Sequence, residues 1–397
     1  MTDSMASRPL RIAVVAACPF PMPRGTPIRI LRLAEALADC GHEVHVATYH
    51  LGEGCVSPRI AVHRIAPIAS YQKLSPGPTY RKLVRVDPAL IMLLRRLLRD
   101  RPFDVIHAHH YEGLLVSAAA RVGTGVPLVY DAHTLLMSEL EYYPLGVPAP
   151  VMRGLGRWMD GWMPRLAEHT VCVTQTIRDR LVDMIGVDSA RVSIVANGVE
   201  VDHFDPATVG APPPRADPSL IFTGNLAEYQ GIDHMLKAFR HALNRVRDAR
   251  LVIATDSSFE PYESLARELG IRDHIDIVSS PSFDDLPRLL AASDVAVNPR
   301  VNCDGVPVKL LNYMAAARPV VSFDSSAPGV VHGQTGWLAP SGNVEALGEG
   351  MVALLLDLER GRAIGRAARD YVVEHASWSR GAERCEQIYR RLREHRS

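Results

Sequence analysis

Leu10–Cys18 reads LRIAVVAAC, an amphipathic stretch follows over Ile28–Asp39, and Glu43–Tyr49 reads EVHVATY. A Val/Ile-rich run, a helical period and a second such run predict a βαβ unit with parallel strands. The runs are continuously apolar instead of alternating, as strands buried on both faces of a sheet should be. The pattern continues through FDVIHA (Phe103–Ala108), PLVYDA (Pro127–Ala132), HTVCVT (His169–Thr174) and VSIVANG (Val192–Gly198). A proline-rich passage, Asp205–Pro218, interrupts it and reads as a linker. It then restarts with SLIFTGN (Ser219–Asn225), RLVIATD (Arg250–Asp256), HIDIVSS (His274–Ser280), SDVAVNP (Ser293–Pro299) and RPVVSFD (Arg318–Asp324). The expectation is an α/β chain of two doubly wound, Rossmann-like domains, 1–204 and 219–376, joined by a linker 205–218; the basic last stretch, Ser379–Ser397, reads as a solvated helix with an apolar stripe of Ile388 and Leu392.

Length and composition agree. A chain of 397 residues suits two cores, and 47% hydrophobic against 22% charged residues is the make-up of a globular protein. Its 44 basic and 44 acidic side chains cancel, so no overall field draws in nucleic acid. Six scattered cysteines without a CxxC pair argue against a disulfide framework or a zinc site and fit a reducing cytosol. The first residues lack an apolar signal core, and no run reaches the ~18 apolar residues of a spanning helix.

In open α/β sheets ligands bind beyond the carboxyl ends of strands, where helix N-termini attract anions. Four such ends stand out. After the first strand, CPFPMPRGTPIR carries Gly25 just ahead of a helix, although a rigid turn alone would also use a glycine there. YDAHT puts Asp131 and His133 at a strand end, where a histidine is as well suited to a structural hydrogen bond as to chemistry. His107, His109 and His110 in IHAHHYEG suggest a metal, but no carboxylate or cysteine keeps ligand spacing with them, so no metal site is expected. The most informative end is PRVNCDGVPVKLLNYMAAARPVV (Pro299–Val321): Asp304 and Gly305 in a loop, then a helix starting near Val308 with Lys309 in its first turn. A cation there opposes the helix dipole unless an anion bridges the two.

Taken together these segments resemble glycosyltransferase family 4, retaining enzymes of GT-B fold, over nearly the whole chain. The matching motifs fall in the family's order: the Pro/Gly loop with GHEVHV (Gly41–Val46), DVIHAHH, YDAHT, ANGVEVDHF (Ala196–Phe204), FTGNLAEYQGID (Phe222–Asp233), DGVPVKLLNYMAAARPVV and HGQTGWLAP (His332–Pro340). The resemblance implies two Rossmann-like domains facing across a cleft, with a final helix, 377–397, returning to the first of them, a nucleotide-diphosphate sugar as co-substrate on the second, and a glycan or lipid-linked acceptor on the first. It implies His133 on the transferred sugar and Gly25 near the diphosphate, with Thr26 where a second glycine is usual. Gly224, Asn225, Gln230, Gly305, Val306 and Pro307 would line the donor. Asp304 and Asn312 stand where the family has two glutamates seven residues apart, one for sugar hydroxyls and one for the ribose. Asn225 and Gln230 replace the Arg and Lys that usually neutralise the diphosphate.

Two cations are thus missing, and a departing nucleoside diphosphate must be stabilised by other means. Lys309 is the expected replacement, with Arg24 or Arg300 in support. His133, Asp304 and Lys309 are the expected catalytic residues of a metal-independent, cofactor-free transfer in which the acceptor hydroxyl attacks from the front face. Two rivals fit the same residues: a nucleotide-sugar-binding module without transfer activity, and a sugar-nucleotide epimerase. Finally, Thr79–Arg101 is basic with an apolar stripe, and GRWMDGWMPRL (Gly156–Leu166) adds Trp158 and Trp162. Such helices can touch an anionic membrane peripherally, on the inner face of the cell membrane, although the plainer reading is a domain helix packed on its sheet with basic residues facing solvent.

Overall fold

A computed structural model of the chain describes residues 8–22, 25–74, 79–140, 148–210, 217–301 and 307–394. It comprises two compact units, Met1–Asn197 with Trp378–Ser397, and Gly198–Ser377. The strands of the first unit are β1 (Arg11–Ala16), β2 (Glu43–Thr48), β3 (Ile60–Arg64), β4 (Val105–His109), β5 (Leu128–Ala132), β6 (His169–Cys172) and β7 (Val192–Ile194). Those of the second are β8 (Ser219–Thr223), β9 (Arg250–Thr255), β10 (Ile275–Ser279), β11 (Val295–Asn298), β12 (Val320–Phe323) and β13 (Trp337–Ala339). The helices of eight or more described residues are α1 (Gly25–Asp39), α2 (Asp87–Asp100), α3 (His110–Ala120), α4 (Ala149–Trp162), α5 (Ile232–Leu243), α6 (Glu260–Glu268), α7 (Val308–Ala315), α8 (Val344–Leu356), α9 (Leu358–His375) and α10 (Trp378–Glu394).

Both sheets are parallel, in the orders β3-β2-β1-β4-β5-β6-β7 and β10-β9-β8-β11-β12-β13. The uninterrupted apolar runs are explained by the strand period of two. On β1, Ala13 and Val15 enter one core while Ile12, Val14 and Ala16 enter the core on the opposite face. On β8, Leu220 and Phe222 face one way and Ile221 the other. Each order reverses once, between β1 and β4 and between β8 and β11, and at such a switch point adjacent crossovers leave in opposite directions and open a crevice at the carboxyl edge.

Two expectations need revision. The basic C-terminal stretch was read as a solvated helix with a stripe of Ile388 and Leu392; α10 in fact buries Ala382, Cys385, Ile388 and Tyr389 against the face covered by α1. Its apolar face is wider because alanine, cysteine and tyrosine contribute to it. The passage expected to link the domains begins inside the second unit: Asp205 caps the short helix Pro206–Val209 and pairs with Arg369 of α9 at 2.9 Å. Residues 211–216 lie outside the described residues.

In the second unit α9 packs closely on the turn leading into β12. A methyl group on Gly365 would lie 2.1 Å from the Ala317 carbonyl oxygen, whereas on Gly361 it would meet nothing nearer than Pro319 Cγ at 3.5 Å. Gly365→Ala is expected to destabilise the second unit by about 1–3 kcal/mol, with Gly361→Ala near neutral, as read from chemical-denaturation midpoints.

Candidate functional site

At the first switch point the strand ends hold a buried charge cluster. Arg29, one turn into α1, meets the Asp131 carboxylate at the end of β5 through Nε (3.0 Å) and Nη2 (3.2 Å). It also donates to the carbonyls of Val195 and Ala196 and to Asn197 Oδ1. Asp131 is fully buried, and the guanidinium holds its carboxyl well below the usual range despite the opposing effect of burial. His107 Nε2 and His109 Nδ1 each lie 3.4 Å from Asp131, and His107 Nδ1 contacts the Tyr389 hydroxyl of α10. His133 bridges His109 (3.1 Å) and Thr26 Oγ1 (3.1 Å), so both ring nitrogens have protein partners. Burial pushes the His133 imidazole down to about 3, outweighing the attraction of Asp131, so near neutrality it is an uncharged hydrogen-bonding group. His110, at the start of α3, has φ +63°, a strained value for a non-glycine residue of the kind found at functional sites.

The carboxylate missing from the histidine motif in sequence is supplied by the neighbouring strand. His107, His109 and Asp131 bring potential ligand atoms within 4.8 Å of one another, which corrects the reading that no carboxylate accompanies them. The bidentate Arg29 nevertheless occupies both oxygens of Asp131, and a cation in that position repels a metal ion.

The second switch point gathers a different set. Gly224 follows β8 with φ +121°, and a methyl group there would lie 3.0 Å from Lys309 Nζ. Lys309, in the first turn of α7, lies 3.9 Å over the Phe222 ring and donates to Gln230 Oε1 at 2.9 Å. Gln230 Nε2 in turn lies 3.4 Å from Asn225 Oδ1, and Asn225 Nδ2 donates to the Tyr229 hydroxyl. Arg300, stacked 4.9 Å over the Tyr229 ring, adds positive potential. Burial first, and Arg300 second, lower the Lys309 ammonium to about 7. Gly231, with φ +72°, lets the start of α5 approach the backbone after β11: a methyl group there would lie 2.3 Å from the Pro299 oxygen. Tyr313, one turn beyond Lys309, accepts from the Thr223 amide at 2.8 Å and ties α7 to the end of β8. Asn312 is 7% exposed, and its Oδ1 has no hydrogen-bond partner among the described residues, an arrangement that calls for an incoming donor.

Thus Gly224, Asn225, Gln230 and Lys309 converge at one strand end, Asn312 follows Lys309 on α7, and Pro307 caps that helix. Gly25 opens α1, and Thr26 meets His133. Arg24, Asp304, Gly305 and Val306 lie outside the described residues. Sequence reasoning missed Arg29, Tyr313 and Tyr389; their signals were a helix phase placing Arg29 one turn beyond Gly25, and aromatic residues that looked like core.

The two parallel sheets, each reversed once and ending in polar strand ends, have the architecture of the GT-B fold. Sucrose-phosphate synthase from Thermosynechococcus elongatus shares this fold at TM-score 0.75 and 17% identity, covering 96% of this chain and 99% of that one. Anabaena HepE in complex with UDP and glucose does so at 0.70 and 15%, with coverage of 96% and 99%. Residues 23–203 match the sequence profile Glycosyltransferase Family 4 and residues 217–357 match Glycosyl transferases group 1, and the chain belongs to the family 4 type of glycosyltransferase. It is similar to a phosphatidyl-myo-inositol mannosyltransferase of Mycobacterium leprae, 28% identical over 387 residues and 96% of each chain. It is also similar to a D-inositol 3-phosphate glycosyltransferase 2 of Catenulispora acidiphila, 28% identical over 425 residues, covering 98% of this chain and 96% of that one.

The buried cluster sets an acid limit. Asp131 and His133 both bind protons less readily in the fold than in the unfolded chain, so stability is greatest above the free histidine value and declines as pH falls. Thermal midpoints should drop from about pH 6.5 downward, and His133→Gln should flatten that slope. Asp131→Asn, which strands the Arg29 charge, is expected to cost about 3–5 kcal/mol at neutral pH.

Proposed function

We propose that this protein transfers a hexosyl group from a nucleoside diphosphate sugar to a hydroxyl of a glycan or lipid-linked acceptor, with retention and without a metal ion. The observation that carries this reading is the chain Lys309–Gln230–Asn225 at the second switch point, with Arg300 beside it. Lys309 and Arg300 take the place of the family's two diphosphate-binding cations. Gln230 acts as a positioning residue, holding the ammonium where the diphosphate arrives.

The reaction breaks the bond between the anomeric carbon and the diphosphate oxygen. It forms a bond from that carbon to the acceptor oxygen on the same face, and the acceptor proton passes to the departing phosphate oxygen. No protein nucleophile takes part; the chain orients the groups and stabilises charge that grows on the leaving group. Asn312, whose carbonyl has no partner among the described residues, accepts from a ribose hydroxyl. His133 and Asp304 hold the sugar, His133 as the neutral imidazole that its burial enforces. UDP in the HepE structure makes uridine donors the first to assay, and inositol in the names of both relatives makes polyol-bearing acceptors the first partners.

Lys309→Ala should lower kcat for donor turnover or hydrolysis by about 100-fold or more, the cost of losing one preorganised charge donor; a fall under about threefold removes Lys309 from the mechanism. Because the free ammonium titrates near 7, nucleoside diphosphate affinity should weaken as pH rises above that value, by up to about tenfold per unit. Calorimetry should show this slope in the native chain and lose it in Lys309→Ala. Donor binding without turnover over a donor and acceptor panel would instead identify a binding module.

A further inference from the structure

We infer that the first unit carries a further anion site, a pocket between β7 and α10 that takes a compact, soluble organic phosphate with at least two negative charges. The pocket holds about 280 Å³, and Arg178, Arg384 and Arg391 line it together with Gln387. Its walls follow from the order of the sheet. β7 is the last strand, so among the described residues no strand pairs with its outer edge. Beside it α10 presents Arg384, Gln387, Ile388 and Arg391 to the pocket, at i, i+3, i+4 and i+7, which is one face of a helix. Arg384 reaches the Ile194 carbonyl of β7 at 3.4 Å. Strands β5 and β6 lie between β7 and β4, so about 14 Å of sheet separates this pocket from the strand that carries His109.

The charges along α10 are sorted. Glu383 pairs with Arg380 at 2.8 Å and Glu386 with Arg390 at 2.6 Å, whereas among the described residues neither Arg384 nor Arg391 has an ion-pair partner. Arg178 has one carboxylate near it, Asp179 at 3.7 Å, and that carboxylate also accepts from Gln175 at 2.6 Å. The excess positive charge is felt inside the sheet. His169 on β6 hydrogen-bonds at 2.8 Å to the hydroxyl of Ser193, a residue of the pocket wall. Burial first, then the charges of Arg391 and Arg191, push its imidazole down to about 4. A place that repels a proton in this way attracts an anion. Guanidinium forks meet phosphate oxygens two at a time, so several converging on one pocket suit phosphoryl groups better than a lone carboxylate. The volume lies at the small end of ligand pockets and selects a small molecule over a stretch of polymer. Because α10 also carries Tyr389, whose hydroxyl contacts His107, a ligand tying α10 to β7 braces the helix that supports the buried cluster.

The test is isothermal titration of inorganic pyrophosphate into the full chain carrying Lys309→Ala, which removes the cation proposed for the donor diphosphate and so reads this pocket separately from sugar transfer. The expected result is saturable one-to-one binding with a dissociation constant of about 1 mM or tighter. Adding Arg384→Gln and Arg391→Gln should weaken it at least about tenfold, with the thermal midpoint of the ligand-free chain unchanged. Should that pair of substitutions lower the midpoint, Arg391→Glu alone gives the same reading, since Arg391 has no ion-pair partner among the described residues to lose. Absence of saturable binding, or binding untouched by the arginine substitutions, overturns the inference. So does capture of the chain by phosphatidylcholine vesicles containing phosphatidylinositol 4-phosphate without any binding of pyrophosphate, because the arginines would then serve a lipid headgroup.

Discussion

Burying both faces of a parallel sheet forces its polar side chains to the strand ends, and this constraint organises both units of the protein. Apolar residues occupy alternate faces of β1 and β8 without interruption, while Arg29, Asp131 and His133 gather at strand ends in one unit and Gly224, Asn225 and Lys309 in the other. Each cluster lies at the point where strand order reverses. There, helix starts and strand ends leave a crevice that the core cannot fill.

The two clusters solve their electrostatics differently. In the first unit charge is internally matched: Arg29 meets both oxygens of Asp131, and His109 and His133 stay neutral because burial disfavours their protonation. Such a pair fixes geometry, because either partner alone would leave a buried charge without compensation. In the second unit Lys309 faces, among the described residues, an aromatic ring and an amide oxygen, neither of which balances its charge, and Arg300 adds positive potential. A desolvated cation so held at a helix start is a poor way to stabilise a fold and a good way to hold an anion. The first cluster fixes geometry; the second suits an anionic ligand.

Much of this was readable from residue order alone. Val/Ile runs at regular spacing determined two parallel α/β folds, because strands buried on both faces have few other sequence solutions. Lys309 was legible as the cation at a helix start, and Asn225 and Gln230 as replacements for charged residues. What sequence could not supply was company. Asp131 is only two residues from His133 along the chain, yet Arg29 reaches it from α1 and Tyr389 reaches His107 from the last helix. Gln230 holds Lys309 across a separation of 79 residues. The apolar face of α10 and the exposed stripe of Val151, Leu155 and Trp158 on α4 have comparable composition, and only packing decides that one is core and the other surface. Periodicity is local and is written in the chain; the pairing of charges and the choice of which apolar face meets water depend on contacts between distant segments, which only the tertiary structure brings about.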